Sequence, residues 1–314
     1  MGRFIGRRLV QSAVVLLGVT LVVFLLLQLV PGDPVRIALG TRYDQGTYDA
    51  LRARSGLDRP LVMQYLSYVG HALTGDLGVS FRSGQPVSTI VLERLPATLS
   101  LALTAIVLAI LVAFPLGVIS GVRNGSAVDH AARVFSQIGV SVPDFWMGIM
   151  GILLFSGVLG WLPPSGYESL LESPSGWATH VVLPAATVGL VTASILTRFI
   201  RSSVLEVLSE DYVRTADAKG LKRRIVVLRH VLRNALIPVV TVIAVQLASL
   251  LGGVIVVEVL FAWPGIGRLT YDSVQARDYP VLQGAVFLVA ALFLLVNLLV
   301  DILYARLDPR ISVR

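Results

Sequence analysis

Between Leu9 and Val30 the chain runs for 22 residues without a charged side chain. A helix of about 20 such residues crosses the hydrocarbon core of a bilayer. Inside lipid every peptide N–H and C=O must be paired within the chain, which leaves helices and closed barrels as the spanning structures. Apolar blocks of similar length recur at 98–122, 134–160, 181–200, 236–260 and 281–304, and the first block is taken as 9–30. The sequence therefore predicts an all-α integral membrane protein with six transmembrane helices. Composition agrees: 55% of residues are hydrophobic and 14% are charged, where soluble domains carry about a quarter charged. The basic start resembles the opening of a signal peptide. The apolar run behind it is too long for an h-region and no A-x-A site follows, so it reads as an uncleaved first span.

Two blocks are irregular. Pro143 and Asp144 fall inside the third and predict either a kink or a late start. The fourth carries Thr187, Thr192, Ser194 and Thr197, and predicts a surface lining a cavity or a partner rather than lipid.

Basic residues mark the two sides of the membrane. Arg3, Arg7 and Arg8 precede the first block, and Arg123 and Arg133 join the second to the third. Nine Lys and Arg, from Arg198 to Arg233, join the fourth to the fifth, and Arg306, Arg310 and Arg314 end the chain. The connection between blocks three and four has none, and the next outward one has Arg268 and Arg277. The positive-inside rule then places both termini and the connection between spans four and five in the cytoplasm. The net charge of +7 follows from this topology, and no nucleic-acid partner is predicted. Residues 31–97 hold seven Arg against six acidic residues and are long enough to cross regardless of charge. Three parts result: 1–30 with the first span, an extracytoplasmic subdomain at 31–97, and a core at 98–314. The subdomain should hold one helix near 60–74, closed by a Gly-Asp-Leu-Gly turn. The Pro/Ser/Gly-rich connection "WLPPSGYESLLESPSGW" reads as loop, and no internal repeat is visible.

Little here can do covalent chemistry. There is no cysteine, and His71, His130, His180 and His230 lack ligand spacing, so neither a metal site nor a catalytic residue is predicted. The only lysines, Lys219 and Lys222, do not sit in a G-x-x-x-x-G-K-[ST] motif, and H-E-x-x-H and G-x-S-x-G are absent; hydrolysis of ATP or peptides is not predicted. Asp144 is the one ionisable residue placed deep in a span. It reads either as a pore-lining carboxylate or as an interfacial residue after a proline break. Ala244, Ala248 and Gly252 repeat every four residues, with Ser249 and Gly253 beside them. Such a face suits an interface with a second membrane subunit, a tight gate, or packing within the chain. Gln246 and Asn297 are lone amides in spans, suited to an interhelical hydrogen bond or a substrate contact. The candidate pore or gate set is Asp144, Gln246, Ser249, Gly252 and Gly253.

The segment "RTADAKGLKRRIVVLRHVLRNALIP", Arg214–Pro238, places seven Lys and Arg between two apolar blocks. Ser209 is a predicted N-cap with Glu210 and Asp211 in the first turn, and Gly220 suits a helix C′ position. A second helix follows from Lys222 into span five. A solvated basic loop touching anionic lipid would explain the cations. It would not explain the small residues of Ala216-Asp217-Ala218-Lys219-Gly220, which suit close approach to another surface.

This segment resembles the cytoplasmic EAA-type coupling loop of ABC importer permeases, most closely the oligopeptide/dipeptide/nickel branch. "FLLLQLVPGDP", "SVPDFWMGI", "GWLPPSGY", "VVEVLFAWPGIGRLTYDSVQARDYPVLQG" and "NLLVDILYARLDPRI" are similar to the same branch, in its B-type first permease subunit. Arg214, Thr215 and Ala216 stand where the general E-A-A consensus would fall, so the glutamate is absent, as is usual in the peptide branch. The resemblance implies a type I importer permease fold in a bacterial plasma membrane and a coupling loop at about 201–235. It implies partners too: a second homologous permease, two cytosolic ATPases that use ATP and Mg, an extracytoplasmic solute-binding protein, membrane lipid, and a di- or oligopeptide substrate. No cofactor is bound by the chain itself. Thr215, Ala216, Asp217, Ala218, Lys219, Gly220 and Leu221 would dock on an ATPase, with Arg229, His230 and Arg233 supporting the helix. The alternatives are an importer of nickel, glutathione or another small solute, and an ion-coupled carrier working without ATP.

Overall fold

The computed structural model describes residues 2–40 and 43–307; Arg42, Arg310 and Arg314, counted above among the charges, lie outside them. The described residues are helical apart from turns, loops and an isolated antiparallel bridge between Val79 and Pro86. The helices are α1 (Gly2–Gln28), α2 (Pro34–Leu39), α3 (Gln45–Ser55), α4 (Leu61–Leu73), α5 (Val87–Val122), α6 (Ala127–Ser141) and α7 (Asp144–Gly151), which continues in π-helical turns to Val158. After a loop come α8 (Pro174–Leu208), α9 (Asp211–Ala218) and α10 (Arg223–Ile225), which runs through π-helical turns (Val226–Val231) into α11 (Leu232–Gly253). The chain closes with α12 (Ile255–Leu260), α13 (Ile266–Ala276) and α14 (Tyr279–Leu307). Among the described residues five helices are long and apolar enough to cross a membrane: Ile5–Gln28, Val87–Val122, Pro174–Leu208, Arg223–Gly252 and Tyr279–Ile302. The third predicted span is the pair α6–α7, bent by 102° between Ser141 and Asp144; counting it as one crossing makes six.

Several predicted bounds move. The second span begins at Val87, not 98, because Glu93 and Arg94 break the apolar block while leaving the helix intact. The fifth ends at Gly253, and Glu258 falls in the separate helix α12. The single helix expected near 60–74 is α4, but α2 and α3 precede it. Asp33 and Asp44 cap these two, accepting from the N–H groups of Arg36 (3.0 Å) and Thr47 (2.9 Å). Capping of this kind satisfies donors that the first helical turn leaves unpaired.

Two compact units divide the chain: 1–99 with 251–295, and 100–250 with 296–314. In the first, Val87, Val91, Ile266, Val281 and Ala285 form a buried apolar cluster. Asp278, itself buried, accepts from Ser80 Oγ (2.5 Å) and the Phe81 N–H (3.1 Å), tying the 76–86 loop to the start of α14. Arg52 bridges Asp33 (2.9 Å) and Asp58 (2.6 Å) across α3.

The second unit is built around α8. Its start is capped by Ser173, with Pro174 in the first turn. Thr187, Thr192, Ser194 and Thr197 do not line an open surface as expected; all are buried in this chain. Each hydroxyl donates to the carbonyl four residues back: Leu183 (2.8 Å), Val188 (3.2 Å), Leu190 (2.9 Å) and Ala193 (2.7 Å). The helix thereby satisfies its own polar groups and packs as an apolar one does. Glycines let its neighbours close in. A methyl on Gly117 of α5 would lie 2.7 Å from Ile200, and one on Gly121 would lie 2.7 Å from Val204. Gly139 of α6 packs directly on Ser194. At the end of the same face Arg201 holds the fully buried Asp129 with two hydrogen bonds (2.6 and 3.0 Å), and Asp129 also accepts from Ser120 Oγ (2.6 Å).

Gly139→Ala should destabilise the protein by about 1–3 kcal/mol, the range for overpacking a tight contact. Adding Ser194→Ala should recover part of that loss. Thermal unfolding in detergent of the two variants and the parent checks both.

Candidate coupling surface and gate

The connection between α8 and α11 is folded, not a loose basic loop. Ser209 does not cap α9; it closes α8, its hydroxyl donating to the Glu206 carbonyl (2.7 Å). Glu210 takes the N-cap position without a side-chain hydrogen bond. Gly220 follows α9 at φ +75°, where glycine avoids the Cβ clash of the left-handed region. Its Cβ position faces open space. The two limbs are tied by Arg223 to Asp217 (3.0 Å) and by Asn234 to the Tyr212 hydroxyl (2.8 Å). Ser203 of α8 donates to the Ala235 carbonyl (2.7 Å) and anchors the return limb.

Val213 and Ala216 turn inward, and α9 packs on the π-helical turns where Val226, Val227 and Val231 are buried. Ala216, expected among the docking residues, is buried in this chain. Thr215, Asp217, Ala218, Lys219, Gly220, Leu221 and Arg229 are exposed, and His230 is half-buried. The exposed face also holds Tyr212, Ile225 and Leu228, which the sequence reading missed. Apolar and aromatic side chains set within a basic stretch are the sequence signal that could have found them.

The gate candidates lie on two elements, Asp144 on α7 and the other four on α11. Asp144 is the first residue of α7, just past the bend, half-buried and accepting from the Phe145 N–H (2.7 Å). Gln246 is half-buried on α11, Ser249 and Gly252 are exposed there, and Gly253 ends that helix. Ala248 of the same small-residue face is buried and Ala244 half-buried.

A site the sequence reading did not single out is Glu258, fully buried on α12 outside the spans. Its carboxylate accepts from Thr98 Oγ1 (2.8 Å) and from the Arg268 N–H (3.0 Å). Thr98 Oγ1 in turn accepts from the Ile266 N–H (2.8 Å), and Trp263 Nε1 donates to the Ala97 carbonyl (2.9 Å). Gly265 lies directly against the carboxylate, leaving no room for a side chain. The group thus caps α13 from another helix and pins it to α5. It also borders a cavity of about 190 Å³ between Gly252, Gly267 and Val289. Burial pushes the Glu258 carboxyl above its ordinary value, against the opposing hydrogen bonds from Arg268, Thr98 and Gly267. Among the described residues no cluster of three or more His, Cys, Asp or Glu could hold a metal.

The spans and the folded basic connection define a multi-pass helical membrane protein with the fold of ABC importer permeases. That fold is shared with the MetNI methionine ABC transporter in inward-facing conformations (TM-score 0.58, 17% identity, 70% of this chain and 97% of that one). It is shared also with an amino acid ABC transporter with histidines (TM-score 0.51, 12% identity, 71% and 95%). The chain belongs to the family described as binding-protein-dependent transport system inner membrane component, whose model matches residues 113–313; the corresponding N-terminal model of these systems matches 1–102. It is 40% identical to the oligopeptide transport system permease protein AppB of Bacillus subtilis (strain 168), covering 99% of this chain and 100% of that one. It is 44% identical to the di/tripeptide transport system permease protein DppB of Pseudomonas aeruginosa (strain UCBPP-PA14), covering 98% of each. Identity to the dipeptide transport system permease protein DppB of Escherichia coli (strain K12) is 42%, again over 98% of each.

Glu258→Ala should leave the Arg268 N–H and the Thr98 hydroxyl unpaired, at about 1–3 kcal/mol for each buried group. Glu258→Gln keeps the shape and one acceptor and should cost less. Because the folded-state pKa is raised, the parent's stability contribution is full below the unfolded value near 4.3 and falls as pH rises through the folded one. The Gln variant should lack that dependence. Unfolding temperatures measured from acid to neutral pH test both statements.

Proposed function

We propose that the chain is one of two pore-forming permease subunits of an ATP-driven importer of di- and oligopeptides. The observation that carries this is near-full-length identity of 40–44% to three permeases named for oligopeptide, di/tripeptide and dipeptide transport. In this reading both termini and the α8–α11 connection face the cytoplasm, and residues 31–86 face the binding protein. A second permease completes the pore. The exposed Thr215, Asp217, Ala218, Lys219, Gly220 and Leu221 dock on a cytosolic ATPase, with Arg229 and His230 behind them. Ala216 holds α9 in place from below. ATP and Mg²⁺ are used by the ATPase pair. Its closure displaces α9 and the continuous helix Arg223–Gly252 behind it, switching the pore between outward-facing and inward-facing states. Asp144, Gln246, Ser249, Gly252 and Gly253 are the residues proposed near the path or gate.

Gly220→Trp tests the docking. The new side chain would stand in open space but at φ +75°, which costs about 1–2 kcal/mol for any residue other than glycine. The spans should assemble while ATPase binding and peptide uptake are lost. Gly220→Ala, with the same strain and no bulk, should keep most of both. Normal uptake by a well-expressed variant overturns the docking reading, and uptake by the purified chain in liposomes without ATP overturns the importer reading. Asp144→Asn should lower uptake only modestly, since the carboxylate accepts from the neighbouring Phe145 N–H and an amide oxygen can do the same; complete loss with intact assembly would make it a pore residue.

A further inference from the structure

Helix α4 belongs to the segment that sequence reading placed outside the membrane. Its contacts reach residues inside the first candidate span. The Tyr65 hydroxyl donates to the Leu17 carbonyl (2.8 Å) and lies 3.1 Å from Thr20 Oγ1. The Tyr65 ring packs on Phe24 with centroids 5.5 Å apart. All three partners lie within the first span, Ile5–Gln28. At 1.5 Å per residue Phe24 sits about 6 Å, and Leu17 about 16 Å, inside the end of that span. On its other side α4 meets the start of α14, where the Tyr68 hydroxyl donates to the Gln283 carbonyl (3.2 Å).

The remaining face of α4 is largely uncovered among the described residues. Val62 (70% exposed), Leu66 (62%) and Leu73 (75%) line it, beside Met63 (59%). The spacing of 62, 66, 69 and 73 makes one stripe, with Val69 half-buried in it. Tyr65, Tyr68 and Ala72 form the neighbouring stripe against the chain, and Gln64, Ser67 and His71 the face opposite the apolar one. His71 is the only ionisable residue in the helix. The ends are polar: Asp58-Arg59-Pro60 before and Thr74-Gly75-Asp76 after. Thirteen residues are too few to cross a bilayer, which takes about 20.

We propose that α4 is an amphipathic helix embedded in one leaflet, on the side where α1 ends, with its apolar stripe against lipid acyl chains. The helix it packs on, α1, also leaves Val22, Leu25 and Leu26 uncovered. The stripe offers no polar group for a protein partner to match. A helix with this pattern lies in the interface plane with its apolar face toward the acyl region. The segment 31–86 is then not a freely projecting domain: its last helix, α4, anchors it to the bilayer and leaves the polar helix α3 above the surface.

The chain has no cysteine, so single cysteines report cleanly. Val62→Cys, Leu66→Cys and, as control, Ala50→Cys on exposed α3 are labelled with an environment-sensitive fluorophore. The full transporter is reconstituted in phosphatidylethanolamine/phosphatidylglycerol vesicles carrying brominated acyl chains. Labels at 62 and 66 should be quenched by the brominated lipid and unaffected by aqueous iodide, while the label at 50 should show the reverse. Iodide quenching at 62 or 66 overturns the proposal in favour of water. Quenching by neither agent overturns it in favour of a protein neighbour, which cross-linking of Leu66→Cys to the second permease would identify.

Discussion

The second unit depends on α8 being able to sit in its middle. A helix with four hydroxyls on its packed faces would ordinarily ask its neighbours for hydrogen bonds. Here Thr187, Thr192, Ser194 and Thr197 all return to their own backbone. These four hydroxyls leave nothing for α5 or α6 to match, and the glycines of both helices can close to van der Waals contact. Lipid offers little hydrophobic drive between helices, so close packing of small residues must hold them together. The ion pair of Arg201 with Asp129 then fixes the α5–α6 turn at the end of that stack.

The first unit uses the opposite device. A single buried carboxylate, Glu258, collects donors from two other elements and converts three short pieces into a fixed corner. Such a group is costly to bury and valuable only when satisfied. The tight fit of Gly265 against it explains why the turn between α12 and α13 reads Trp-Pro-Gly rather than any polar loop.

The spans were legible because hydrophobicity over some twenty residues depends little on tertiary context. Their ends were not. Glu93 and Arg94 stop the apolar run, yet the helix continues with both side chains in the open. The hydroxyls of α8 suggested an open surface, since a sequence does not show whether a threonine bonds outward or back to its own helix. Gly220 was legible because a left-handed residue after a helix is a local demand. Ala216 was not, because which side of a two-turn helix faces inward is decided by Val226, Val227 and Val231 beyond the turn. Glu258 read only as a carboxylate near a span end for a similar reason: its partner Thr98 is 160 residues away.

The meeting of α5 and α8 has a mechanical meaning. Gly117 and Gly121 form two notches, and Ile200 and Val204, both stiff β-branched side chains, are the teeth that fill them. Notches and teeth share a four-residue pitch, about 6 Å along the axis. A slip smaller than one pitch would drive methyl groups into backbone. Any push reaching the end of α8 below that threshold must therefore carry α5 along with it, as a key turns a shaft, and the pair moves as a single strut.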